Sequence, residues 1–173
     1  MNLSVRKERR KQEKFEGTLP TPSNFGLSDA AKGEIGQTLL TLELERRGWM
    51  VFSPHIEGKV DLVAVREGAN GRLRHAYIEM KTAALSKQNS FEFTLQASKL
   101  IESRDFYCVL VCLKDAEFRK VDFHIVPSLD LRKVLARYFE SPTWEKNGSF
   151  NFALRLGGRW EGYRNRFDFI RPT

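Results

Sequence analysis

Two short stretches, Val60-Asp-Leu-Val-Ala-Val-Arg66 and Leu73-Arg-His-Ala-Tyr-Ile-Glu-Met-Lys81, decide the fold that this sequence predicts. Each has the length and the apolar content of a β-strand. The segment Glu67-Gly-Ala-Asn-Gly-Arg72 separates them. Its Asn70-Gly71 pair is a strong turn signal, because both residue types tolerate the positive φ angles of tight hairpin turns. The two stretches therefore predict an antiparallel hairpin.

This hairpin places two acidic residues opposite each other. With the turn centred near residue 70, paired residues have numbers that sum to about 140, which sets Asp61 against Glu79. The Cβ atoms of directly opposed residues lie about 5 Å apart, close enough for both carboxylates to bind one Mg²⁺. A bound cation would also relieve the repulsion between them. The pair is therefore a candidate metal site for Mg²⁺, with Mn²⁺ as a substitute.

A lysine completes this group of charged residues. Glu79 and Lys81 are two residues apart on one strand, so their side chains share a face. A metal beside a fixed ammonium group is what phosphodiester hydrolysis requires. A second Glu-x-Lys triplet, Glu57-Gly-Lys59, precedes Asp61 and contains a glycine, so we interpret it as chance. The alternative for Glu79 and Lys81 is the exposed polar face of an edge strand.

The residues around the hairpin predict an α/β fold with a mixed β-sheet flanked by helices, in the order αβββαβ. Ser28 or Asp29 can cap the first helix, whose apolar positions Ile35, Leu39 and Leu42 recur at helical spacing. A C-terminal extension rich in strand-forming and aromatic residues follows. The other predicted elements are helices at about 29–47, 95–103 and 129–140, and strands at 49–53, 106–113 and 121–126.

The first 24 residues predict a flexible basic arm. They include a dense stretch of charge from Arg6 to Lys14 and few apolar residues. We expect residues 25–173 to form a single domain, with its core at about 29–126 and the extension at about 127–173. The net charge of +7 favours a polyanionic partner, and DNA is the first candidate.

Two further features limit the class of protein. Cys108 and Cys112 lie four residues apart in one apolar stretch, which is too far for a disulfide, so we expect two buried thiols. No segment approaches the roughly 18 apolar residues of a membrane span, and the N-terminus has no apolar segment typical of a secretion signal. The sequence therefore predicts a soluble, cytoplasmic protein that does not bind a membrane.

The order of these elements and three short motifs resemble the PD-(D/E)XK nuclease superfamily, over about residues 29–113. The motifs are Gly33-Glu-Ile-Gly36, Lys59-Val-Asp-Leu-Val63 and Ile78-Glu-Met-Lys81. They are similar to those of archaeal-type Holliday-junction resolvases and of small homing-endonuclease and restriction-like members. The proline that names the superfamily motif is Val60 here.

The resemblance implies a metal-dependent nuclease with a defined set of site residues. Asp61, Glu79 and Glu34 would bind Mg²⁺, and Lys81 would assist the attacking water. Gln96 resembles a glutamine that some members place near the metal. Independently of the resemblance, Lys87, Lys99 and Arg104 fit phosphate contacts and equally fit ordinary surface charges. The basic arm would contact phosphates through Arg6, Arg9, Arg10 and Lys11. Glu34 and Gln96 also fit ordinary helix-surface positions.

We predict a DNA endonuclease that acts as a homodimer, because two symmetric sites suit the cutting of both strands or of a branched junction. Two other classes of function stay open. One is a nucleic-acid-binding module that keeps the nuclease fold but has lost catalysis. The other is an interaction protein whose basic arm docks on an acidic partner.

Overall fold

The computed structural model describes residues 24–54, 58–68, 70–96, 101–135 and 148–170. The predicted arm, with Arg6, Arg9, Arg10 and Lys11, lies outside these ranges, as do Glu57 and Lys99. No helix in the described ranges is long and apolar enough to cross a membrane.

A five-stranded mixed sheet forms the centre of the fold, in the order β1-β2-β3-β5-β6. Its neighbouring strands pair antiparallel except for β3 and β5, which are parallel. The predicted mixed α/β architecture is confirmed. The strands are β1 (Met50–Phe52), β2 (Leu62–Glu67), β3 (Leu73–Ala84), β5 (Phe106–Leu113) and β6 (Val121–Pro127).

Helix α1 (Asp29–Arg46) packs on one face of this sheet. The Ser28 side chain caps it by accepting a hydrogen bond from the Ala31 N–H at 3.2 Å. Of the predicted apolar stripe, Ile35 and Leu39 are partly buried and pack against the core, whereas the inclusion of Leu42 was wrong, since it is 58% exposed. The buried face has a strict spacing of four residues and consists of Lys32, Gly36, Leu40 and Leu44.

Gly36 is the point of closest approach between α1 and the sheet. A Cβ atom at this position would lie 1.9 Å from the Thr82 Oγ1 atom of β3. Only glycine therefore allows the helix to pack so close to β3. Gly33, one turn earlier, has open space around it.

A two-stranded antiparallel ribbon covers the opposite face of the sheet, and it consists of β4 (Ser90–Gln96) and β7 (Ser149–Arg155). In β4, Phe91, Phe93 and Leu95 are buried, whereas Glu92 and Thr94 between them are exposed. The ribbon packs through Phe152, whose ring is stacked on Phe93 at 5.6 Å and on Trp160 at 5.2 Å between centroids. The aromatic C-terminal segment thus seals a core.

Two of the predicted helices differ from the structure. The helix predicted at 95–103 is wrong where it can be compared, because Leu95 and Gln96 end strand β4 and residues 101–103 are not helical. The alternation of Ser90-Phe-Glu-Phe-Thr-Leu-Gln96 has the strand period of two, and burial of every second side chain fixes a strand. The third predicted helix, at 129–140, corresponds to α2, which spans Ser128–Val134. Residues 136–147 lie outside the described ranges.

Candidate active site

The hairpin of β2 and β3 has the predicted register, with Leu62 opposite Ile78. Asp61 lies just before β2, where its N–H donates to the Ile78 carbonyl at 2.8 Å. Its carboxylate Oδ2 accepts a hydrogen bond of 2.6 Å from the Met80 N–H. The Asp61 backbone and side chain therefore bond to β3 on either side of Glu79, as the predicted opposition of the two acids requires.

Glu79 and Lys81 form an ion pair within β3. The Lys81 Nζ atom donates to Glu79 Oε1 at 2.6 Å. The Glu79 side chain is fully buried, whereas 26% of the Lys81 side chain is exposed. Lys81 therefore lies between the buried carboxylate and the solvent.

The buried thiol of Cys108 is affected by the charges of Asp61, Glu79 and Lys81. Cys108 pairs with Glu79 across β3 and β5. Burial raises the pKa of the Cys108 thiol to about 12, with further upward contributions from Glu79 and Asp61 and an opposing one from Lys81. All three charges act on one buried atom, and the thiol itself stays protonated at neutral pH. The two cysteines are free and buried, as predicted.

A cleft with a volume of about 790 Å³ opens in front of Lys81. Its walls are the start of α1, the second half of β3 and the β4–β7 ribbon. The second half of β3 can border this cleft because the pairing of β3 with β2 ends at Ile78. The polar side chains that line it come from Asp29, Lys32, Lys81, Thr82, Glu92, Thr94, Gln96 and Asn151.

Lys32 is a residue of this cleft that the sequence analysis missed. It is 8% exposed, and its ammonium group pairs with Asp29 Oδ1 at 2.6 Å. The available signal was its spacing, since Lys32 stands four residues before Gly36 on the buried face of α1. A lysine at a core position indicates a stem packed against the protein and a charge directed to an opening.

Glu34 and Gln96 lie in different surroundings. Glu34 is exposed and lines a separate groove with Gln37, Thr38, Thr41 and Leu42. The geometry gives its predicted metal role no support, and that role stays a prediction. Gln96 is exposed at the end of β4 and lines the cleft that Lys81 also lines.

Several predicted phosphate contacts can also be located. Lys87 is exposed and lines a small pocket beside the cleft, with which it shares Lys32 and Glu92. Arg104 is exposed on the loop before β5. Lys59 of the second Glu-x-Lys triplet is exposed as well.

A second group of charges surrounds the buried carboxylate of Asp122 on β6. Its carboxylate pairs with Lys114 and lies 3.0 Å from the Arg164 Nε atom. Burial would raise the pKa of Asp122, but Lys114 and Arg164 outweigh burial and hold the pKa below its ordinary value. Arg164 also pairs with Glu161 at 2.8 Å. The formal charges of these two acidic and two basic groups therefore cancel.

The donors at Asp61 and Glu79 fit Mg²⁺. Within the described ranges, no group of three or more His, Cys, Asp or Glu side chains is arranged to hold a metal ion. Asp61 and Glu79 supply two carboxylates on the same hairpin, and Lys81 pairs with Glu79. Mg²⁺ commonly binds through one or two carboxylates and takes its other ligands from water and substrate phosphates.

The fold is similar to that of a bacterial homing endonuclease, I-Ssp6803I, with a TM-score of 0.53. The two chains are 20% identical, and the match covers 83% of this chain and 91% of the other. No family model matches the chain, and no curated protein matches it. At this level of identity the similarity shows the fold alone.

Proposed function

We propose that this protein is a Mg²⁺-dependent endonuclease of the PD-(D/E)XK type that hydrolyses phosphodiester bonds in DNA. One observation carries the proposal: two carboxylates and a lysine meet beside a cleft, on a hairpin whose register opposes the two acids. The similarity of the fold to a homing endonuclease supports the same class of reaction.

Each carboxylate has a distinct role in this proposal. Asp61, whose Oδ2 accepts the Met80 hydrogen bond, would hold the cation with its carboxylate. Glu79, which now pairs with Lys81, would supply the second carboxylate. Mg²⁺ bound there would neutralise the phosphate and lower the pKa of water. Two opposed carboxylates favour such a cation because it relieves the repulsion between them.

Lys81 positions the substrate in this account. Its ammonium group now neutralises Glu79, and when it leaves that carboxylate it remains beside the cleft, where a phosphate oxygen or the attacking water can accept its hydrogen bond. Lys32 places a second ammonium group in the same cleft. Lys87 and the basic arm would hold the flanking phosphates through charge alone.

DNA is the proposed substrate because the net charge of +7 attracts polyanions and because the similar structure belongs to a homing endonuclease. A homodimer is proposed on the symmetry of the reaction, since two copies of one site can cut two strands. Sedimentation with and without DNA measures the stoichiometry. A single copy on a duplex that is cut in both strands would contradict the dimer.

The proposal is tested by incubating the protein with labelled linear, nicked, flapped and four-way DNA. We expect cleavage with Mg²⁺ or Mn²⁺, none in EDTA, and binding with little cleavage in Ca²⁺. Glu79→Gln is the control for contaminating nucleases and should be inactive. Full activity in excess EDTA would exclude the metal mechanism. Tight DNA binding without cleavage of any substrate would favour a binding module that keeps the nuclease fold.

A further inference from the structure

The exposed face of the β4–β7 ribbon forms one wall of the cleft. On this face, Thr94 is directly opposite Asn151, and Gln96 is opposite Ser149. These side chains are uncharged hydrogen-bonding groups, and the one charged residue on the same face of β4, Glu92, lies toward the start of the strand. The other walls carry the ammonium groups of Lys32 and Lys81, each paired with an acid. The cleft therefore has a side with ammonium groups and a side with amides.

This division corresponds to the two chemistries that DNA presents. Phosphates are bound by cations at any sequence, whereas base edges are distinguished by groups that donate and accept hydrogen bonds. Asn and Gln amides match the major-groove edge of adenine, because the amide can donate to N7 and accept from N6 at once. The major groove also admits a two-stranded β-ribbon.

The ribbon holds one of these amides in a fixed orientation. The Thr94 hydroxyl donates to Asn151 Oδ1 at 2.6 Å, so the Asn151 NH₂ group is directed away from Thr94. The buried face of the ribbon is anchored by the stacking of Phe152 between Phe93 and Trp160. An orientation fixed before binding lowers the cost of recognition.

The spacing along the ribbon also suits DNA. Gln96 and Thr94 are two residues apart in β4, which corresponds to roughly 6.8 Å along the strand. This is about two steps of 3.4 Å along one DNA strand. Gln96 and Asn151, which is opposite Thr94, would therefore reach different base pairs.

We infer that the exposed face of the β4–β7 ribbon reads base sequence in the major groove, with Gln96 and Asn151 as specificity-determining residues and Thr94 as the residue that positions Asn151. This inference rests on the proposed function, because it assigns a duplex substrate with a base preference to the same cleft.

The test is a duplex library with a randomised segment, cleaved in Mg²⁺ and sequenced. The wild type should cut a subset of sequences with adenine at one or more fixed positions. Gln96→Ala and Asn151→Ala should each lose roughly tenfold to a hundredfold of the preference at a different position. Gln37→Ala removes a half-buried amide outside the cleft, which donates to Ser53 Oγ, and should keep the full preference.

Two further variants and a modified base isolate the mechanism. Thr94→Val should weaken the base preference at the DNA position that Asn151 contacts. Thr94→Ser, which keeps the hydroxyl, should retain that preference. Replacing the preferred adenine with 7-deazaadenine removes the N7 acceptor, which should slow the wild type but not the variant that has lost that contact.

The outcomes separate this inference from the proposed function. Cleavage without base preference, or a preference that survives both amide substitutions, overturns the inference and leaves the nuclease intact. If the wild type cuts nothing, the proposed function fails. The inference about base recognition is then tested by selecting the sequences that the protein binds from the same library in Ca²⁺. Bound sequences that share a motif in the wild type and lose it in Asn151→Ala support the inference, and unchanged selection contradicts it.

Discussion

The two clusters of charge in this protein, around Glu79 and around Asp122, differ in how they are placed in the fold. Asp122 and Glu161 face Lys114 and Arg164, so the formal charges of that cluster cancel. Glu79 is buried on the hairpin that also positions Asp61, and its partner Lys81 lines the cleft. A balanced cluster away from the cleft is typical of a structural contact, whereas two opposed carboxylates near an opening are typical of a cation site.

The largest expected effects come from neutralising one acid in each cluster. Glu79→Gln and Asp61→Asn keep side-chain size, and the amide oxygen introduced by Asp61→Asn can still accept the Met80 hydrogen bond. We expect either substitution to lower the single-turnover cleavage rate by roughly a thousandfold, which corresponds to about 4 kcal/mol. The matched variant Asp122→Asn should keep the rate and lose about 2 kcal/mol of stability in urea unfolding, since the partly buried Lys114 and Arg164 lose the carboxylate that they share. Equal loss of activity in all three would abolish the distinction.

The lysines of the two clusters provide the next comparison. Lys81→Gln should slow cleavage by roughly a hundredfold at saturating metal, because the ammonium group that positions phosphate or water is lost. Lys114→Gln should leave that rate unchanged and lower the urea midpoint, because Asp122 loses one of its two cations. Rates and midpoints are measured on the same preparations. A Lys114 variant with the larger loss of activity would reverse the assignment.

The Asp122 cluster also predicts how stability changes with pH. His124 is buried two residues after Asp122 on β6. Burial lowers the pKa of His124 to about 4, against contributions from Asp122 and Glu161 that raise it and with smaller ones from Arg164 and Lys114 that lower it. Between about pH 6.5 and 4, His124 therefore binds a proton in the unfolded chain but not in the folded chain. The free energy of unfolding should fall by about 3 kcal/mol as the pH drops through this window.

His124→Leu and His124→Gln test this dependence of the free energy of unfolding on pH, even if they also change the stability at pH 7. Both remove the titrating imidazole, so the loss between about pH 6.5 and 4 should largely disappear, as measured by urea unfolding at each pH. Asp122 contributes below this window, because its pKa lies below the ordinary value of 3.8. If the free energy of unfolding still falls as steeply with pH in both variants, a group other than His124 causes the loss.

The smallest effects concern how α1 is held over β3. Gly36→Ala would drive a methyl group into Thr82, and we expect a loss of about 1–3 kcal/mol in thermal or urea unfolding. Gly33→Ala meets no atom within 4 Å and should gain about 0.5–1 kcal/mol, because alanine favours the helix. Similar changes in both variants would mean that α1 can move away from β3 at little cost.

The sequence predicted the parts of the site that depend on local geometry. A two-residue period and a turn at Asn70-Gly71 were enough to oppose Asp61 and Glu79, and both follow from the chain itself. The cleft could not be predicted in this way. It depends on the pairing of β4 with β7, whose residues Thr94 and Asn151 are 57 positions apart.

The error at Gln96 has a related cause. The alternating residues of β4 were followed by a sequence that suits a helix, and the helix was extended back over Leu95 and Gln96. Pairing with Ser149-Phe-Asn-Phe-Ala-Leu-Arg155 buries every second side chain of the segment and makes it a strand. Lys32 was missed because the predicted stripe of α1, Ile35, Leu39 and Leu42, did not include the buried positions 32, 36, 40 and 44.

The most direct test of the difference between the two clusters is Mn²⁺ binding, measured by the loss of the free-ion electron paramagnetic resonance signal on titration with protein. Short DNA that contains a non-hydrolysable phosphate analogue is present, so that substrate ligands are available. The wild type and Asp122→Asn should bind Mn²⁺ with the same affinity, and Glu79→Gln should lose most of it. Equal binding by Glu79→Gln and the wild type would contradict the assignment of the metal to Asp61 and Glu79.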